Sequence, residues 1–174
     1  MRRWTMAAVL LALGVGGWWG RSAWFPSEAD RIRHFMESLA AEVSFGPDDG
    51  GIATGRRITR LVNHFTPDAS IQMEILGAGS FQLSGRGEIQ QTLWGARRAA
   101  QQLAVHFYDI VVELAPDGES STAHLTATAE ARAATRGFRR NQELFEAVEL
   151  RFGLRRVDGA WKVQWVETVP TLKQ

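Results

Sequence analysis

The sequence predicts an α+β fold: three helices in the N-terminal half packed on a strongly curved, mostly antiparallel sheet, preceded by one transmembrane helix. Three observations carry this. Between residues 28 and 102, three stretches repeat apolar residues at helical spacing. Beyond residue 105 the repeat drops to two, with turn residues between the runs. Ahead of all this, Trp4 to Gly20 is an uncharged run behind Arg2-Arg3. At about 1.5 Å per residue it spans roughly 26 Å, slightly short of a hydrocarbon core of about 30 Å.

The first helix is expected from about Glu28 to Ser44. Ser27, after Pro26, is placed to cap it with Asp30 three residues on, and Ile32, Phe35, Met36, Leu39 and Val43 form its stripe. The run GPDDGG breaks it. A second helix from about Gly55 to Phe65 turns Ile58, Leu61, Val62 and Phe65 inward, and Pro67-Asp68 turns the chain into a strand where Ile71, Met73 and Ile75 alternate with Gln72 and Glu74. Ser80 to Leu83 is expected to pair back on that strand. Gly85 opens a third helix to about Gln102 with Ile89, Leu93, Ala96 and Ala100 inward and Trp94 beside them.

In the next strand, Val105 to Leu114, Ile110, Val112 and Leu114 oppose Asp109 and Glu113. Carried back, this parity places His106 and Tyr108 on the apolar side. Thr122 to Arg132 alternates alanines and Leu125 with His124, Thr126, Thr128, Glu130 and Arg132, and small inner side chains leave room for a pocket or a close helix contact. A loop from Ala134 to Asn141 leads to the clearest hairpin, Glu143 to Thr168, turning at Asp158-Gly159. Val148, Leu150, Phe152 and Leu154 share one face of it, and Trp161, Val163 and Trp165 share one face of its return strand.

Phe65-Thr66-Pro67-Asp68-Ala69-Ser70-Ile71, Gly85-Arg86-Gly87-Glu88-Ile89 and Asp158-Gly159-Ala160-Trp161-Lys162-Val163 each resemble a segment of the nuclear transport factor 2-like and SnoaL-like superfamily, over about residues 28 to 169. The resemblance implies the cystatin-like cone and, within it, isomerases, dehydratases, hydrolases, assembly subunits and ligand binders. Its isomerase branch uses a tyrosine on the first helix and two acids on strands. By the matched segments these places fall on Phe35, Met73 and near Gly153, so proton transfer of that type is not carried over. Dimerisation through the sheet is common in the family, and Thr126, Thr128, Glu149 and Arg151 are the residues through which two copies would pair.

Domain organisation is read as a signal-anchor over 1–25 and the cone domain over 26–174. The paired arginines hold the N-terminus in the cytoplasm, while Trp18, Trp19 and Trp24 suit the membrane interface. The expected location is the bacterial inner membrane, single-pass through residues 4–20, with the C-terminal domain in the periplasm. Release into the periplasm after cleavage is the alternative. The chain has no cysteine, which excludes disulfides, thiolate metal sites and a cysteine nucleophile. Its formal charge is +1, from 20 basic and 19 acidic residues, but Arg2, Arg3 and Arg21 belong to the leader, leaving about −2 on the domain. No basic stripe for nucleic acid follows from this.

Gly77-Ala78-Gly79-Ser80 is neither a nucleophile elbow nor a phosphate loop, and the four histidines lack ligand spacing, so neither cofactor nor metal is expected. What remains for acid-base work is His106, as proton shuttle, with Tyr108, as oxyanion donor. A ligand pocket is expected among Phe35, Met73, Trp94, His106, Tyr108, Ala127, Phe152 and Trp165. The sequence thus points to a membrane-tethered, non-catalytic domain that binds a protein partner or a small apolar ligand, as a homodimer or as accessory subunit of a membrane complex. The other reading is a small isomerase, dehydratase or hydrolase acting on an apolar substrate in the cone.

Overall fold

The computed structural model describes residues 26–47, 51–75, 79–133 and 142–169. The expected anchor at residues 4–20 and the Ala134 to Asn141 loop lie outside them. Among the described residues, no helix is long and apolar enough to cross a membrane. The chain divides into two units, Met1–Arg31 and Ile32–Gln174. In the first, Ser27 and Asp30 cap one another: the Asp30 N–H donates to Ser27 Oγ at 3.1 Å and the Ser27 N–H to Asp30 Oδ2 at 3.2 Å. An aspartate thus takes the place of the glutamate of a capping box.

Helix α1 is Glu28–Val43 and α2 is Gly51–Asn63. Strands β1, Phe65–Ile75, and β2, Gly79–Ser84, pair antiparallel, and α3, Gly85–Ala99, leaves β2 without a connecting loop. Gly85 at φ 78° makes that corner. Strands β3, Ala100–Leu114, β4, Ser120–Ala133, β5, Gln142–Val157, and β6, Ala160–Thr168, form an antiparallel meander. The six-stranded sheet runs β2-β1-β6-β5-β4-β3, with β1 and β6 its parallel pair.

Within the described residues the expected helices and strands are therefore present, with shifted ends. The second helix starts a turn earlier than Gly55, and the first strand takes in Phe65 to Ser70. The third helix stops at Ala99 rather than Gln102, because Ala100 is already extended, at φ −118° and ψ 142°. One apolar cluster joins Met36 and Leu39 of α1, Ile58, Leu61 and Val62 of α2 and Ile89 of α3 to Ala123, Leu125, Ala127, Leu150, Phe152, Leu154 and Val163 of the sheet. This defines the helix-facing side of the sheet.

The end of α1 is tied to the outer edge of β3. Phe45 and Leu103 exchange backbone hydrogen bonds of 2.8 and 3.0 Å. Ser44 Oγ accepts from the Val105 N–H at 2.9 Å and lies 2.8 Å from the Ala40 carbonyl, to which it donates. These contacts cover the start of an edge that would otherwise present unpaired backbone groups.

Candidate functional site

Two β-bulges decide which side chains face the helices. In β3, Tyr108 pairs with Thr126 and Val111 with His124, so Asp109 and Ile110 together oppose Leu125. Asp109 takes φ 53° to make this bulge. Parity therefore reverses at that point. Ile110 and Val112 pack on the core cluster as expected, but upstream it is Phe107 that turns in, its ring 5.7 Å from that of Phe152. The expected inward placement of His106 and Tyr108 is corrected: both are exposed, Tyr108 at 51%, with ring centroids 6.2 Å apart.

In β6, Val163 opposes Leu154 and Trp165 opposes Gly153, leaving Gln164 as the extra residue. Trp161 and Val163 are buried in the core cluster. Trp165 is turned to the opposite face, with the Arg151 guanidinium 5.5 Å from its ring centroid. The expected shared face of Trp161, Val163 and Trp165 is corrected accordingly.

Of the eight expected pocket residues, Phe35, Met73, Trp94, Ala127 and Phe152 belong to the helix-facing cluster, whereas His106, Tyr108 and Trp165 do not. None of the eight lines the small space left between the helices and the start of β3. That space is about 30 Å³, bounded by Val43, Phe45, Ile58, Leu61, Leu93 and Leu103, with Glu42, Arg57 and Arg97 at its margin. It has room for about one water molecule.

The outer face of the sheet carries the exposed chemistry. Tyr108 and Val111 of β3 are exposed at 51% and 56%. Arg151 makes an ion pair with Glu167, Nε donating at 2.6 Å, beside Trp165. A groove of about 190 Å³ runs among Asp109, His124, Thr126, Glu149 and Val169, and a second of about 270 Å³ lies beside Trp165.

One pair of titratable groups is brought together that the sequence did not single out. His64, between α2 and β1, places Nε2 3.1 Å from Glu42 Oε2 of α1, both side chains partly buried at 30% and 25% exposure. The Phe35 ring meets the imidazole edge-on at 5.4 Å, and the His64 carbonyl accepts the Val163 N–H at 2.8 Å, pinning the residue to β6. Glu42 and His64 are 22 residues apart on different elements, so only the packing of α1 over the α2–β1 junction joins them. An imidazole held by a carboxylate is chemically able to take and return a proton. Among the described residues, no group of three His, Cys, Asp or Glu side chains is arranged to hold a metal ion.

The model of the SnoaL-like domain matches residues 53–166. Among solved structures, a candidate scytalone dehydratase from Novosphingobium aromaticivorans aligns over 81% of this chain and 82% of its own, at 17% identity and a TM-score of 0.62. An NTF2-like protein with a cystatin-like fold from the same organism aligns over 78% and 79%, at 19% identity and a TM-score of 0.56. An NTF2-like protein of unknown function from Pseudomonas putida KT2440 aligns over 82% and 86%, at 14% identity and a TM-score of 0.57. At these identities the likeness is one of fold. No curated protein matches the chain.

Proposed function

The chain belongs to the SnoaL-like domain family, and from that footing we propose that it is a membrane-tethered, envelope-exposed, non-catalytic domain that docks a protein partner on the outer face of its sheet. The observation that carries this reading is the direction of β3. Its bulge turns Tyr108 outward onto the face that Val111 shares, while the space bounded by the helices and the start of β3 is about 30 Å³ and mostly apolar. The outward Tyr108 and Val111, rimmed by His124, Glu149 and Arg151, have the make-up of a docking surface. Tethering rests on the uncharged run from Trp4 to Gly20.

The test is a photo-crosslinking residue placed in turn at Tyr108 and Val111 in the producing cell, with Ala53 and Gln90 on the helices as controls. A discrete adduct from the strand positions alone is expected. Adducts at neither position would sink the reading, and an adduct with a second copy would make the partner the chain itself.

A second reading, a small enzyme, is favoured by the Glu42–His64 pair, on a fold that a candidate scytalone dehydratase shares. There His64 is the base and Glu42, which borders the helical space, is its orienter. Turnover of an apolar hydroxylated substrate that is lost in His64→Ala and in Glu42→Gln, with folding intact, would establish it. Turnover unchanged in both would remove it.

A further inference from the structure

The two edges of the sheet differ. β3 carries guards against further pairing: Phe45 and Ser44 cover its start, a bulge bends it at Asp109, and Glu113 adds a charge. β2, the opposite edge, has none of these. Gly79–Ser84 contains no charged residue and no proline, and its pairing with β1 runs from end to end without a register shift. Phe81 lies opposite Met73, which packs on the core cluster, yet Phe81 itself is 40% exposed.

Two hydrogen bonds fix which backbone groups this edge presents. The Glu74 N–H donates at 3.0 Å to Oγ1 of Thr168 in β6, on the far side of β1 from β2. Glu74 thus turns its backbone groups away from β2, and Ser80, directly opposite, turns its own away from β1. By alternation Gln82 and Ser84 do the same. The Ser84 N–H agrees with this phase, since it leaves the ladder to donate to Glu88 Oε2 at 2.7 Å. Among the described residues, that leaves the N–H and C=O of Ser80 and Gln82 open at the edge, one on each side of Phe81.

This set of groups is self-complementary. An identical strand laid antiparallel, with the two-fold axis at Phe81, sets each Ser80 opposite Gln82 of the other copy, and both pairs exchange N–H···O=C bonds. The two Phe81 residues then form the intervening non-hydrogen-bonded pair, in which Cα atoms stand about 4.5 Å apart and side chains are closest. Aromatic residues stabilise such a pair. An axis at Gln82 would instead set Ser80 against Ser84, whose N–H is already taken by Glu88. No like charges are forced together. Glu74, one strand back from Ser80 in each copy, would stand about three strand spacings, roughly 14 Å, from its counterpart, beyond a screening length of about 8–10 Å.

We propose that β2 pairs antiparallel with β2 of a second copy about an axis at Phe81, joining the two sheets edge to edge. The inference is independent of the partner-docking reading, which uses the sheet's outer face. One strand pair buries far less than the roughly 1,200–2,000 Å² of a stable complex, so the dimer is weak, with a Kd expected in the high-micromolar to millimolar range.

The chain has no cysteine, so single cysteines report the pairing directly. Phe81→Cys is introduced into the full chain, held in a mild non-ionic detergent and gently oxidised, with Gln90→Cys, exposed on α3, as control. A Cα separation of about 4.5 Å admits a disulfide. Phe81→Cys is therefore expected to form a linked dimer at least tenfold faster than the control. Two changes in the Phe81→Cys background should bring the rate down to the control. Gln82→Pro removes an edge N–H that β1 does not use, and Ser80→Lys with Gln82→Lys sets like charges directly opposite one another. Both lysine positions are exposed, so that variant remains informative where the proline disturbs the fold. A Phe81→Cys rate no higher than the control would overturn the proposal. So would a rate that neither change lowers or, on oxidation in the producing cell, a foreign adduct at position 81 with no self-linked dimer.

Discussion

The indole of Trp165 occupies the space that the first side-chain carbon of any residue but glycine at position 153 would need, 2.0 Å from Nε1 and 2.1 Å from Cε2. Both residues lie in strands, so the close approach can be relieved only by moving the ring or parting β5 from β6. Gly153→Ala is expected to destabilise the domain by about 1–3 kcal/mol, the usual cost of overpacking. That corresponds to a fall in Tm of roughly 2–4 °C per kcal/mol in a chain of this length. If the indole is the obstacle, Trp165→Ala removes it, and the double variant should lose less than the sum of the two single changes. Thermal unfolding of the four proteins checks this, and strict additivity would refute it.

Asp109 adopts φ 53° within a strand, a conformation that costs a residue with a Cβ roughly 1–2 kcal/mol. Asp109→Gly should therefore leave stability unchanged or raise it by up to about 1 kcal/mol. Asp109→Val, branched at Cβ, should lower stability and weaken the bulge. Denaturant unfolding of both variants gives the sign. A loss in the glycine variant would mean that the aspartate side chain, rather than the bend, holds the strand.

That bulge also marks where the sequence stopped being legible. Among the described residues, apolar spacing found the three helices and the central strands because each buries one continuous stripe or alternate positions, as Met36, Leu39, Leu61, Ala127 and Phe152 show. The site depended on parity across single inserted residues. Ile110, Val112 and Leu114 read as one face with Tyr108 only if no residue is inserted between them. Asp109 carries no glycine to announce the insertion, and Gln164 in β6 is equally silent. Two extra residues were enough to carry His106, Tyr108 and Trp165 through the sheet. The Glu42–His64 pair was hidden for another reason, since it depends on how α1 crosses the α2–β1 junction.

Glu42 and His64 are partly exposed, so their coupling should be modest. A double-mutant cycle with Glu42→Gln and His64→Ala is expected to give about 0.2–1 kcal/mol, within the range for solvent-accessible pairs. The coupling should weaken when salt is added. A null result in low salt would show that the contact orients neither partner, and would weaken the enzyme reading with it.

The β3–β4 turn should report acid directly. Asp117 Oδ1 accepts the Glu119 N–H at 2.9 Å and the Ser120 N–H at 3.0 Å, and these bonds, the Glu119 bond first, hold its carboxyl below the usual carboxylate range. Because the folded value is the lower one, the stability it contributes is fully present above the unfolded pKa and is lost as pH falls through the folded value. Asp117→Asn should remove that part of the acid sensitivity. A carboxyl NMR titration placing Asp117 at or above an ordinary aspartate would contradict this.

Ser44 tests whether the guarded edge of β3 matters to the fold. Its hydroxyl accepts the Val105 N–H at 2.9 Å, and the residue is partly buried, so Ser44→Ala leaves that donor without its partner. The expected cost is about 1–3 kcal/mol, since an abandoned donor loses more than the average bond contributes. The neighbouring bonds between Phe45 and Leu103 are backbone bonds and survive the change. Faster amide exchange should therefore be confined to Val105, with Leu103 still protected. If both amides exchange faster together, the hydroxyl is holding the whole end of α1 against the strand, and the edge opens as one unit when it is removed.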